Sequence, residues 1–151
     1  MMDRTKAMKN DIEAGFKLDH RLENDTVKLA SWPLSEVLLM NDSQYPWVIL
    51  VPRCEGATEI YQLAVDEQVQ LLKESSFLGE ALMALCSGEK LNVAALGNVV
   101  NQLHLHHVVR FSVDKAWPGP NWGKHPVVPY SDKALKDKIL LLGCIADKCW
   151  S

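Results

Sequence analysis

The sequence predicts an α+β domain: a five-stranded antiparallel sheet, one long helix packed on it, and an added C-terminal helix. Three observations predict it. Short β-rich runs joined by brief turns fill residues 26–52, a run rich in Leu, Ala, Glu and Gln covers 59–87, and two more strand-like runs precede a helical tail. Close connections favour antiparallel neighbours, and apolar residues recurring at helical spacing need a surface to be buried against.

Residues 1–20 are polar, with a weak apolar rhythm at Met8, Ile12 and Phe16 that predicts a short amphipathic helix with a frayed start. Residues 26–42 read as two strands broken at Trp32-Pro33, and DSQYP turns the chain into a third, WVILVP. In the long helix, Leu71, Leu78, Leu82 and Leu85 recur at helical spacing, and Gly88 is placed to stop it. Residues 90–96 form a fourth strand, and GNVVN leads into a fifth over 102–112. The segment AWPGPNWGKHPVVP is too broken by proline for regular structure. Ser131 then suits the N-cap of a final helix carrying Leu135, Ile139, Leu142 and Ala146 on one face.

At 151 residues the chain fits a single domain, 1–151, and its 48% hydrophobic and 23% charged composition is that of a folded protein. A net charge of −3 with no long Lys/Arg block argues against binding long nucleic acids, but leaves room for a small charged substrate. Cys54, Cys86, Cys144 and Cys149 lack zinc-site spacing, the first residues are too polar for a signal peptide, and no apolar run is long enough for a bilayer. A reducing cytoplasm is the expected home, with no membrane partner.

Chemistry concentrates in QLHLHHVVRF. Alternation puts Gln102, His104, His106 and Arg110 on one side, and the mostly apolar set Leu103, Leu105, His107, Val109 and Phe111 on the other. The apolar set is expected under the long helix, which leaves His107 structural and His104 and His106 facing a site. Imidazole exchanges protons near neutral pH, and its neutral ring can attack phosphorus. A His-x-His pair on a strand can also begin a metal site, yet the next acidic residue, Asp114, falls beyond the strand, so no metal is assigned.

These residues resemble the histidine triad family, whose signature is His-x-His-x-His followed by apolar residues and often an arginine. Aligned on Arg110, the signature falls at Gln102, His104 and His106, with glutamine in the first place. LLMNDSQYPWVILVPR resembles the block before the family's long helix, while Asn92 and Gly97-Asn98 resemble its Asn-containing strand and Gly-polar loop. The resemblance covers roughly residues 16–122. The trailing AWPGPNWG and the final helix, which lies in a C-terminal extension over about 123–151, are similar to a bacterial subgroup of dinucleoside polyphosphate hydrolase-like proteins.

The resemblance implies a HIT-like fold and a nucleotide-phosphate hydrolase or nucleotidyl transferase. His104 would attack an α-phosphorus to give a nucleotidyl-histidine intermediate, with dinucleoside polyphosphates, phosphoramidates or adenylates as substrates. His106 would bond a phosphate oxygen or assist proton transfer, with Gln102 in support. Asn41 would touch the ribose, and Asn92, Gly97, Asn98 and Val99 would line the substrate site, Val99 standing where many relatives carry Ser or Thr. No cofactor is required, although Mg²⁺ can accompany a polyphosphate, and a homodimer is implied. The alternative is a nucleotide-binding module with little or no catalysis, in keeping with Gln102 and Val99. Leu38, Leu39 and Trp47 are pocket walls or ordinary core, Trp117 and Trp122 either cover the site or anchor their loop, and Arg53 and Arg110 are expected on a solvated surface rather than on phosphate.

Overall fold

A computed structural model describes residues 15–151, so the helix expected near the start of the chain lies outside the described residues apart from its last few positions. The elements are α1 (His20–Asp25), β1 (Thr26–Ser31), β2 (Ser35–Met40), β3 (Trp47–Pro52), α2 (Val65–Cys86), β4 (Lys90–Ala94), β5 (Leu105–Arg110) and α3 (Asp132–Ala146). The strands make one antiparallel sheet in the order β1-β2-β3-β5-β4. Five strands, a long helix and a C-terminal helix are thus all present. Ser131 caps α3 by accepting the Ala134 N–H at 3.2 Å, as its position predicts.

Local boundaries differ in ways that physics explains. The long helix begins at Val65, preceded by a 3-10 turn at Ile60–Gln62, rather than running unbroken from residue 59. Its left-handed end falls on Ser87, at φ 51°, not on Gly88. Gly88 allows close approach instead: a Cβ there would run into Val109 Cγ1 and Met83 Sδ. β5 begins at Leu105, so Gln102 and His104 sit on the approach to the strand.

Side-chain alternation divides the sheet into two buried faces. Val37, Leu39, Val48, Leu50, Leu105 and Val109 join Leu71, Leu78 and Leu82 of α2 in one cluster. The expected apolar face of β5 therefore does lie under the long helix. His107 is on that side, fully buried, and its Nε2 lies 2.7 Å from Ser75 Oγ of α2. Because Nδ1 donates to the Leu105 carbonyl, Nε2 must accept the hydroxyl proton, and burial pushes this imidazole down to about 4. A structural role for His107 follows directly.

The opposite face holds Leu38, Trp47, Ile49, Val51 and Val108, covered by Leu22 and the loop residues Val100 and Ala116, with Phe16 and Trp122 packed beside them. Two arginines expected at the surface are instead buried. Arg53 Nη2 donates to the carbonyls of Trp32 and Pro33 at 2.6 and 3.1 Å, while Glu74, fully buried, accepts the Leu34 N–H at 2.8 Å. Together they hold the break between β1 and β2. Trp32 also anchors the end of α3, its Nε1 donating to the Ala146 carbonyl at 3.0 Å.

Arg110 projects to the second face, makes a bidentate pair with Asp114 at 2.8 and 2.9 Å, and donates to Asn92 Oδ1 and the Gly119 carbonyl, each at 2.8 Å. Tyr45 and Trp117 cover its guanidinium at 5.8 and 5.9 Å from the ring centroids. The Asp114 carboxyl is held below its usual range, first by the Arg110 hydrogen bonds. Arg110 thus ties the proline-rich loop to the sheet. No helix among the described residues is long and apolar enough to cross a membrane.

Candidate active site

His104 is brought to the site by the turn that feeds β5. Its Nδ1 is 2.6 Å from the backbone carbonyl of Gln102. A carbonyl can only accept, so Nδ1 carries the proton and Nε2 carries the lone pair. Burial lowers the basicity of this ring, opposed by the Gln102 carbonyl and the Asp19 charge, so the neutral form is favoured. The result is an oriented imidazole with Nε2 unengaged by any described residue.

Two cavities meet at His104. An apolar cleft of about 320 Å³ is walled by Leu22, Met40, Trp47, Ile49 and Trp122, with Asp25 at its edge. A polar cavity of about 200 Å³ is lined by Thr58, Glu59, Asn101 and Gln102. Asn98 and His104 border both. A larger cavity, about 590 Å³, lies between the turn at residues 53–57 and the start of α2 and contains no histidine.

Gly97 permits the tight turn between the two. A Cβ there would strike the Val100 carbonyl at 2.7 Å and sit 3.7 Å from His104 Cε1. Gly97 and Asn98 line the polar cavity, while Asn98 and Val99 reach the apolar cleft, so this part of the expected substrate loop does gather around His104.

Gln102 and His106 have other attachments. The Gln102 side chain accepts the Asp19 N–H at 2.8 Å and donates to the Lys17 carbonyl at 2.8 Å. Arg21 adds a bond to the Val99 carbonyl at 2.9 Å. Residues 17–21 are therefore strapped to the 99–102 loop, and Gln102 serves His104 through its backbone. His106 is paired in register with Ile49 and Ala94, and its ring centroid is 4.7 Å from that of His104. Trp47 Nε1 donates to its Nδ1 at 3.0 Å, and its Nε2 faces the Leu96 carbonyl at 3.1 Å. Burial, then the neighbouring His104, pushes His106 down to about 4.

Asn41 and Asn92 line neither cavity. Asn41 accepts the Tyr130 N–H at 3.0 Å, and Asn92 is spent on Arg110. The two tryptophans of the proline-rich loop divide the roles considered for them: Trp122 packs on His106 at 5.5 Å as a cleft wall, whereas Trp117 covers Arg110. Trp47 is likewise a wall, while Leu38 and Leu39 are core on opposite faces. Asp25, Met40, Thr58 and Asn101 were invisible to strand alternation because they reach the site from separate segments. Among the described residues, no group of three or more His, Cys, Asp or Glu side chains gathers as for a metal ion.

A small α+β domain that holds one imidazole with a free Nε2 between an apolar and a polar cavity is the class defined by this geometry. The chain belongs to the histidine triad family: the family model described as HIT domain matches residues 21–113. It is 52% identical to a histidine triad protein from Marinobacter aquaeolei VT8, over 89% of this chain and 98% of that one, with a TM-score of 0.87. A histidine triad protein from Bradyrhizobium japonicum is 39% identical over 87% and 98% of the two chains, with a TM-score of 0.84. One from Sinorhizobium meliloti 1021 is 35% identical over 86% and 96%, with a TM-score of 0.83. The comparison with curated proteins gave no match.

Proposed function

We propose that this protein binds a nucleotide and cleaves or transfers it at the α-phosphate through a nucleotidyl intermediate on His104. The observation that carries this reading is the orientation of His104: Nδ1–H is held by the Gln102 carbonyl, leaving Nε2 at the junction of the two cavities. The apolar cleft suits a base and sugar between Trp122, Ile49 and Met40, with the Asp25 carboxylate at its edge to accept ribose hydroxyls. The polar cavity receives the departing group. In the first step the Nε2 lone pair forms a bond to phosphorus and the leaving group departs with its electron pair, taking a proton from water. Water then attacks phosphorus, its proton passing to the hydroxide left by the first step, and the P–N bond breaks, which releases the nucleotide and returns the pair to Nε2. Backbone N–H groups of the 97–99 turn supply donors to the phosphate oxygens.

Dinucleoside polyphosphates, phosphoramidates and adenylates are the candidate substrates, the first of them supported by the resemblance of the Trp/Pro-rich extension to a bacterial dinucleoside polyphosphate hydrolase-like subgroup. Attack by nitrogen needs no cofactor, while Mg²⁺ enters with a polyphosphate. Four free thiols suit a reducing cytoplasm. Incubation with adenosine conjugates of these three kinds, followed by intact-mass measurement, is expected to show an adenylyl adduct mapping to His104 and released product. Binding without adduct or product selects the second reading, a nucleotide-binding module, which is favoured by the engagement of Gln102 and His106 with protein groups.

The same proposal includes a homodimer in which two sheets continue across their β4 edges. β4 is an outer strand, and Val65, Val69 and Leu72 leave an exposed apolar stripe on α2. Sedimentation equilibrium should give about twice the 17.0 kDa chain mass, and Val69→Asp with Leu72→Asp should return it to one. A wild-type monomer at micromolar concentration rejects the dimer.

A further inference from the structure

Each contact to His106 comes from a group with a single hydrogen-bonding option. An indole N–H can only donate, so the ring nitrogen facing Trp47 at 3.0 Å must accept. A backbone carbonyl can only accept, so the nitrogen facing Leu96 at 3.1 Å must carry the proton. Both requirements are met by one species, the neutral ring protonated at Nε2. Adding a second proton would set an imidazolium N–H against the Trp47 N–H inside a buried site.

The two anchors lie on different pieces of the chain. Trp47 opens β3, while Leu96 precedes the Gly97-Asn98 turn beside His104. Trp122 closes a further side of the ring at 5.5 Å. The titratable groups around His106 are His104, 4.7 Å away between centroids, and His107, next along β5 but facing α2. Asp19 acts on His104, and no described carboxylate bonds His106.

We propose that Trp47 is a positioning residue that fixes His106 as a neutral, Nε2-protonated ring, which in turn pins the Leu96 end of the phosphate-facing turn against β5. The third position of the signature thus shapes the site in this chain and carries no proton to or from the substrate. Its effect on turnover rests on the nucleotidyl-transfer reading above. Its effect on the ring itself does not. The depressed basicity of His106, down to about 4, agrees with the geometry.

Nitrogen-resolved NMR of the imidazoles tests the lock without any substrate. In the wild-type protein, His106 should show an unprotonated Nδ1 and a protonated Nε2 with no change between pH 8 and pH 5.5. In Trp47→Phe, which keeps an aromatic wall but removes the indole N–H, the same ring should sample both tautomers and titrate within that range. A wild-type His106 that titrates near 6.5, or carries its proton on Nδ1, overturns the proposal, as does an unchanged ring in Trp47→Phe. With a substrate in hand, the pH profile of kcat supplies the second measurement: between pH 5.5 and 8 the wild type should show no step that tracks the His106 ring, whereas Trp47→Phe should gain one. A wild-type step that coincides with titration of the His106 nitrogens also overturns the proposal. Should no conjugate be turned over by the wild type, the tautomer measurement still decides the lock, and only the nucleotidyl-transfer reading falls.

Discussion

Replacing His104 with alanine is expected to remove turnover, by roughly 10³-fold or more, while leaving the fold in place. The size of the effect follows from what is lost: the unengaged Nε2 lone pair of the one histidine that, among the described residues, borders both cavities. Asn98, which borders both cavities, can hold phosphate but is no nucleophile. The cost to the fold is small, because the released Gln102 carbonyl lies beside an open polar cavity and can bond water, and one such hydrogen bond is worth about 1 kcal/mol net. The check is paired: turnover and adduct mass on one side, thermal unfolding on the other. A His104→Ala protein that still turns over its substrate defeats the covalent mechanism.

Arg110→Met should have the largest effect on stability, about 3 to 5 kcal/mol by urea unfolding. Methionine fills much of the space but leaves Asn92 Oδ1 and the Gly119 carbonyl without their donor and takes the counter-charge from the Asp114 carboxylate, which keeps only the backbone N–H groups of Phe111, Ala116 and Trp117. A domain of this size holds about 5 to 15 kcal/mol in all, so the change consumes a large share of it. Because the same arginine fixes the loop that ends at Trp122, the variant should also bind nucleotide more weakly. Adding Asp114→Asn should recover part of the stability, since it removes the charge left without its partner while the amide oxygen can still accept from the backbone N–H groups of the turn. A single-variant loss under about 1 kcal/mol would show that the buried ion pair does not hold the loop.

Much of the sheet was legible because its signal is local. The alternation of QLHLHHVVRF correctly assigned Leu105, His107 and Val109 to the helix-covered face, and Ser131 marked the start of α3. Alternation also separated His104 and His106 from His107. What it could not convey was the second layer of cover, since Leu22, Val100 and Ala116 come from segments with no strand period. That cover turns Arg110 from a surface residue into a buried clasp. Partners distant in sequence hid the remaining roles: Asn92 answers to Arg110, Asn41 to Tyr130, Gln102 to residues 17 and 19, and His106 to Trp47. In the proposed binding mode Asp25 takes the ribose contact expected of Asn41 for the same reason, because helix α1 brings Asp25 to the cleft while Asn41 Oδ1 is engaged by Tyr130.

Gln102 makes the entrance and the chemistry one mechanical unit. Its amide grips the segment that leads into the Leu22 and Asp25 wall, and its carbonyl, on the same residue, sets the direction of the His104 ring. Slack in the first therefore becomes misalignment in the second. Restoring histidine at this place would complete the family signature on paper while exchanging a flat two-ended grip for a ring of different reach, so the more orthodox sequence need not be the faster protein.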